Sequence, residues 1–175
     1  MDSKIIKMKK QKPLKFMLLM FVVMLNVGCD QVSKIVVRQK IDYNQHIVLI
    51  KNHLTLTKVE NTGAFLSAGD NLPDFARIIL LNIFPILVLV YGIYYLLTQT
   101  NLPRTFQIGM CFLIGGGIGN IYDRVKFGSV TDFLHIDFIV FSTGVFNFAD
   151  VSIMTGIGIL LVQTFLGNRF SPQKV

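Results

Sequence analysis

Charge is scarce in this 175-residue chain. Asp, Glu, Lys and Arg make up 15% of it, against about 25% in a soluble domain. With 52% hydrophobic residues and a mean hydropathy of +0.57, that shortage excludes an ordinary water-facing surface and places the single domain in a membrane. Cysteine is scarce as well. Cys29 and Cys111 both lie in apolar runs. If those runs cross in the same direction, the two thiols sit at opposite ends and are too far apart for a disulfide. The three histidines, His46, His53 and His135, share no metal-ligand spacing, so no metal site is expected. No serine–histidine or cysteine–histidine pair suggests a competing hydrolytic arrangement, and no internal repeat is present.

What charge there is leans basic, at +7 net. Six of the 17 basic residues (Lys4, Lys7, Lys9, Lys10, Lys12 and Lys15) precede or open the first apolar run. A juxtamembrane cluster of that kind anchors a cytoplasmic end against anionic lipid. It does not suggest a nucleic-acid groove, and no nucleic-acid partner is expected.

Four apolar runs, about 14–37, 75–97, 105–122 and 148–166, approach the roughly 20 residues needed to cross a bilayer. Four crossings put both termini on the cytoplasmic side. The polar stretches 38–74 and 123–147 then share the outer face. The expected fold is an all-α membrane protein of four transmembrane helices. It carries a small extracytoplasmic loop domain containing a β-hairpin, and an interfacial segment between helices 3 and 4. The hairpin comes from Ile47–Ile50 and Leu54–Val59, split by Lys51-Asn52-His53. The interfacial segment comes from Phe133, Leu134, Ile136, Phe138, Ile139 and Phe141. Pro85 should bend the second span. The glycines at 115–117 and 119 are small residues of the sort that let helices approach closely. The start also mimics a lipoprotein signal ending at Cys29, but Asn26 stands where such signals usually carry leucine, and further spans follow.

Polar groups far apart in sequence converge on one depth in this topology. Asn120, Asp123 and Arg124 end the third span, Asn147 and Asp150 open the fourth, and Asp132 lies between them. Asp30, Lys34 and Asn61 reach the same level. Asp30 and Lys34 are four apart, acid first, as a helical ion pair prefers. Ionisable groups at membrane depth are costly and usually functional. Two carboxyls that share such a place cannot both ionise cheaply, so one keeps its proton and the pair can do acid–base chemistry on an amide. These considerations do not choose among Asp123, Asp132 and Asp150. Acids at membrane depth also serve small ion-coupled transporters, the alternative reading, although those usually place them near the midplane.

Five blocks carry a resemblance: Asp30-Gln31-Val32-Ser33-Lys34, Asn61-Thr62-Gly63-Ala64-Phe65, Gly119-Asn120-Ile121-Tyr122-Asp123-Arg124, Val130-Thr131-Asp132-Phe133 and Phe146-Asn147-Phe148-Ala149-Asp150. In this order the chain resembles the lipoprotein signal peptidases (signal peptidase II), bacterial aspartic endopeptidases with four membrane helices. The resemblance implies Asp132 and Asp150 as the catalytic dyad. It implies Asn61, Gly63, Asn120, Arg124, Asn147 and Ala149 as residues lining the substrate site. Asp123 would orient Arg124, and Asp30 with Lys34 would support the outer rim. It further implies diacylglyceryl-modified prolipoproteins as substrates, globomycin as an inhibitor, no metal or organic cofactor, a monomer, and residence in the bacterial cytoplasmic (inner) membrane.

Overall fold

The computed structural model describes residues 13–43, 45–63, 72–99, 101–138 and 140–167. The lysines before Pro13, the tail with Arg169 and Lys174, and Ala64 and Phe65 lie outside the described residues.

Helix α1 spans Pro13–Lys40. Proline at the first position is pre-shaped for a helix start, and the Leu- and Met-rich run behind it favours helix. Its 28 residues extend about 42 Å at 1.5 Å per residue, longer than the hydrocarbon core, so its last turns can leave the bilayer and carry polar side chains. After the sheet strands described below, α2 (Asp74–Ile78), a π-helical turn (Ile79–Ile83) and α3 (Phe84–Thr98) form one helical rod. The expected disturbance from Pro85 takes the form of that π turn. Proline at position 85 has no N–H to give residue 81, and the widened turn just before it absorbs the loss. Helix α4 spans Arg104–Phe127, and α5 spans Phe148–Gly167.

Three of these, Leu14–Lys40, Asp74–Thr98 and Phe148–Phe165, are long and apolar enough to cross a membrane. Helix α4 is more polar because its neighbours surround it. Gln107, Gly109, Cys111, Ile114, Gly115, Gly116, Gly119, Asn120 and Asp123 are all buried in it. The glycines serve close approach. A Cβ on Gly115 would fall 2.7 Å from Asn26 Cβ, and one on Gly116 would fall 2.9 Å from Ile153 Cγ1. Leu96, Cys111 and Ile114 form the core of the bundle, with Leu19, Val23 and Leu89 packed against them. Cys29 is exposed, Cys111 is buried, and both are free thiols.

The loop regions differ from expectation in one respect. Strands β1 (His46–Ile50) and β2 (Leu54–Asn61) form the expected hairpin, with Asn52 at φ 61° in its turn. A third strand, β3 (Val130–Ile136), pairs antiparallel with β2. Much of the stretch expected to lie in the membrane interface is therefore a sheet strand. Of the apolar residues expected to face lipid, Phe133 and Leu134 pack inward: Phe133 is 2% exposed and joins Val37 and Ile41 in a core beneath the sheet, and Leu134 packs against it. Ile139 lies outside the described residues. Phe138, Val140 and Phe141 stay exposed. The sheet thus caps one end of the helices, and the register that sets Asn61 opposite Val130 and Val59 opposite Asp132 brings the two loops together.

Candidate active site

Asp132 and Asp150 come to the site on different elements, β3 and α5. Asn147 stands just before α5. Its backbone N–H donates to Asp150 Oδ2 at 3.1 Å, and the Asp150 N–H donates to Asn147 Oδ1 at 3.0 Å. This reciprocal pair satisfies two of the unpaired N–H groups at a helix start. The Asn147 amide is left with Nδ2, which donates to Asp132 Oδ1 at 2.6 Å. One residue therefore caps the helix and spans both aspartates.

Asn61 and Asn120 follow the same rule. Asn61 Oδ1 accepts from the Gly63 N–H at 3.0 Å, so its Nδ2 faces Asp132 Oδ2 at 2.9 Å. Asn120 Oδ1 accepts from Lys34 Nζ at 2.9 Å and from Asn147 Nδ2 at 3.2 Å, so its Nδ2 faces Asp150 Oδ1 at 2.8 Å. In each amide the oxygen is pinned by a donor, which turns the NH₂ toward a carboxylate. All four oxygens of Asp132 and Asp150 accept an N–H. Burial pushes the Asp132 carboxyl up to about 6, with the nearby Asp150 adding to the rise and the amide of Asn61 opposing it.

Beneath the dyad lies a buried ion cluster. Asp30, Lys34 and Asp123 have fully buried side chains. Lys34 Nζ lies 2.9 Å from Asp30 Oδ2 and 3.0 Å from Asp123 Oδ2. The other Asp30 oxygen accepts from the Ala149 N–H at 2.9 Å. Each charge has an opposite partner, as burial demands.

Two sequence expectations meet a different arrangement. Asp123 pairs with Lys34 and with Arg38, whose Nη2 lies 3.0 Å from Asp123 Oδ1. Arg124 turns the other way and donates from Nη2 to the Gly63 carbonyl at 2.8 Å. Adjacent helical residues face different sides, so Asp123 is poorly placed to orient its neighbour. Ala149, expected to line the site, is fully buried behind it, with its N–H on Asp30. Sequence reasoning also missed Arg38, Gln31, Glu60 and Thr131. Gln31 Nε2 reaches Asp30, Asp123 and the Gly119 carbonyl at 3.0–3.2 Å. Arg38 could have been found had the helix been continued past residue 37, because it stands one turn beyond Lys34.

One cavity reaches Asp150 and another reaches Arg124. The first, about 450 Å³, is lined by Asp150, Val151, Met154 and Thr155 of α5 and by residues 141–146, and it is mostly apolar. The other, about 390 Å³, is more polar and includes Thr62, Arg77, Asn82 and Arg124. Arg124 Nε is buried and has no hydrogen-bond partner among the described residues. Among the described residues no group of three or more His, Cys, Asp or Glu side chains is placed to hold a metal ion.

A family model described as signal peptidase (SPase) II matches residues 22–166, which include every residue of this cluster. The chain belongs to the signal peptidase II family. It is 34% identical over 136 residues to a lipoprotein signal peptidase of Streptococcus pyogenes serotype M1, covering 78% of this chain and 85% of the relative. It is 31% identical over 147 residues to a lipoprotein signal peptidase of Enterococcus faecalis (strain ATCC 700802 / V583), covering 84% and 87%. Its fold matches a bacterial membrane enzyme solved by the in meso method at 2.3 Å resolution. The TM-score is 0.80 at 22% identity, over 90% of this chain and 94% of that one. Membership of the signal peptidase II family leaves the ion-coupled transporter reading without support.

Proposed function

We propose that this signal peptidase II is an aspartic endopeptidase that cuts diacylglyceryl-modified prolipoproteins just before the lipid-bearing cysteine. The observation that carries the reading is the pair of carboxyls, each oxygen held by an N–H, with Asp150 lining an apolar cavity. Family membership supports the same substrate class. Asp132, whose carboxyl holds its proton up to about pH 6, is the acid, and Asp150 is the base. A water lies between them and the scissile carbonyl. Asp150 removes a proton as the water oxygen bonds to the carbonyl carbon, and Asp132 protonates the carbonyl oxygen. The tetrahedral intermediate then collapses: the C–N bond breaks, the nitrogen takes the proton from Asp150, and a hydroxyl proton returns to Asp132. The dyad ends as it began.

Arg124 and the Gly63 carbonyl it holds form one wall of the site and position the substrate backbone. The apolar cavity beside Asp150 accepts the hydrophobic residues that precede the cut. Helix α4 is the fourth crossing, both termini are cytoplasmic, and the dyad lies near the outer face, where a lipid-bearing substrate presents its scissile bond. The enzyme acts as a monomer in the bacterial cytoplasmic membrane and is inhibited by globomycin.

The test is incubation of the purified enzyme with a diacylglyceryl-modified prolipoprotein, followed by mass spectrometry of both products. A product whose first residue is the lipidated cysteine is the expected result. Cleavage at any other bond, or equal cutting of the unlipidated precursor, would contradict the proposal. Labelling of single cysteines placed at each terminus in intact cells tests the orientation.

A further inference from the structure

Asp30, Lys34 and Arg38 stand at i, i+4 and i+8 on α1 and share one face of it. Arg38 reaches past the ion cluster to the sheet. Its Nε donates to Thr131 Oγ1 at 2.8 Å. Its Nη2 forms the 3.0 Å ion pair with Asp123 already described, close but without the alignment of a hydrogen bond. The guanidinium carbon lies 4.0 Å from the centroid of the Phe127 ring, where a cation is attracted to the aromatic face. Phe127 is the last residue of α4, and Thr131 is the second of β3. The contacts therefore straddle the turn at Gly128 and Ser129, where Gly128 takes φ 77°. Thr131 is completely buried. Its hydroxyl donates onward to Glu60 Oε1 at 2.8 Å, while Ser129 Oγ donates to Glu60 Oε2 at 2.6 Å. The residue after Thr131 is Asp132.

We propose that Arg38 is a positioning residue: it fixes β3 on the frame of α1 and α4 and so holds Asp132 in register with Asp150. Alternate residues of a strand point to opposite faces, so Arg38 grips the strand from the side away from the chemistry and touches no substrate. This inference rests on the dyad reading above. Asn147 and the backbone bonds between Phe146 and Leu134 tie β3 to the start of α5; its hold on α1 and α4 is a separate matter. A short glycine turn joins β3 to α4, and Asn61, which holds Asp132 Oδ2, sits on β2 and moves with the sheet. Phe133 packs on Val37 and Ile41, but apolar contact has no direction and permits sliding. Asn120, which holds Asp150, belongs to α4. The guanidinium is a directional tie between that helix frame and the strand carrying Asp132.

The tie predicts a pH signature. Two carboxyls held close repel when both are charged, and the loss of their last proton is displaced upward. Letting Asp132 drift from Asp150 weakens that repulsion, so the basic limb of the kcat–pH profile moves to lower pH. Lys34 and Arg124 are the cations facing the dyad, and Asp30, Asp123 and Glu60 are the surrounding acids. All remain in place in the variants below.

The experiment measures kcat, KM and the pH profile for wild type, Arg38→Met, Thr131→Val, the double variant and Asp132→Asn. Methionine keeps an unbranched stem over Phe127 and removes both polar contacts. In folded Arg38→Met, kcat should fall about ten- to a hundredfold, the scale expected for a misplaced catalytic group, with KM little changed and the basic limb shifted down. Thr131→Val should shift both in the same direction, and the double variant should be no worse than the worse single one. Activity that tracks only the folded fraction, with the limb unmoved, overturns the inference. So does an upward shift with Thr131→Val silent, which would mean that Arg38 acts as a distant charge. If Arg38→Met does not fold, wild-type kcat and limbs in Thr131→Val overturn it. Wild-type activity in Asp132→Asn would instead sink the dyad reading.

Discussion

Asn147 and Asp150 close a reciprocal pair of hydrogen bonds at the start of α5, at 3.1 Å and 3.0 Å. The same asparagine donates from Nδ2 to Asp132 Oδ1. A structural helix cap and the proposed catalytic pair are therefore one object here. Capping does not compete with catalysis as an explanation of Asp150, because the cap gives its carboxylate a fixed orientation.

Asn147→Ala should cost about 1–2 kcal/mol from the lost cap and should lower kcat far more than that loss of stability explains. Asn147→Ser separates the two effects. A serine hydroxyl can accept from the Asp150 N–H but cannot reach Asp132. Thermal unfolding should return toward wild type in Asn147→Ser while cleavage stays low. Recovery of both together would show that the contact with Asp132 is unimportant.

Lys34 is the shared partner of two fully buried carboxylates. Lys34→Met should cost about 3–5 kcal/mol, because it strands buried charge. Adding Asp30→Asn removes one of the stranded charges, so the double variant should melt higher than the single one in detergent. A double variant less stable than Lys34→Met would contradict this charge balance.

Gly119 lies where α4 meets Asp30. A Cβ there would come within 2.5 Å of Asp30 Oδ2, whereas one on Gly28 would meet nothing within 4 Å. Gly119→Ala should therefore disturb the Asp30–Lys34 pair and lose most activity, and Gly28→Ala should leave both activity and melting temperature near wild type. Side-by-side melting and cleavage assays of the two variants decide it.

The raised carboxyl of Asp132, at about 6 against an ordinary 3.8, has a defined sign. The folded protein binds this proton more tightly than the unfolded chain. The resulting stabilisation is full below about pH 4 and is lost as pH rises through about 6. The activity of the free enzyme, followed as kcat/KM, should decline above a limb near 6 as the dyad loses its last proton. A profile still rising through pH 8 would contradict the assignment of the proton to Asp132.

Much of this was legible in the sequence, for identifiable reasons. The helices follow from long apolar runs, and the convergence of Asp30, Asn61, Asn120, Asp132, Asn147 and Asp150 follows from their positions relative to those runs. Strand β3 was not legible. Val130–Ile136 mixes apolar residues with Thr131, Asp132 and His135 and carries no clear alternation, and its partners on β2 stand roughly 70 to 80 residues earlier in the chain. Such pairing depends on which surface the stretch can reach, and periodicity does not carry that information. The separation of Asp123 from Arg124 was missed because the two are adjacent in sequence, while helix geometry sends them to different partners. Arg38 was missed because an apolar count ends the first span before it, although the helix continues to Lys40.

The most direct test compares cleavage of a diacylglyceryl-modified prolipoprotein by wild type, Asp132→Asn and Asp150→Asn, each first shown to be folded by its melting curve. Wild type should release the signal peptide, and both variants should leave the precursor intact. Cleavage near the wild-type rate by either folded variant would contradict the dyad, and Asp123 would be the next residue to replace.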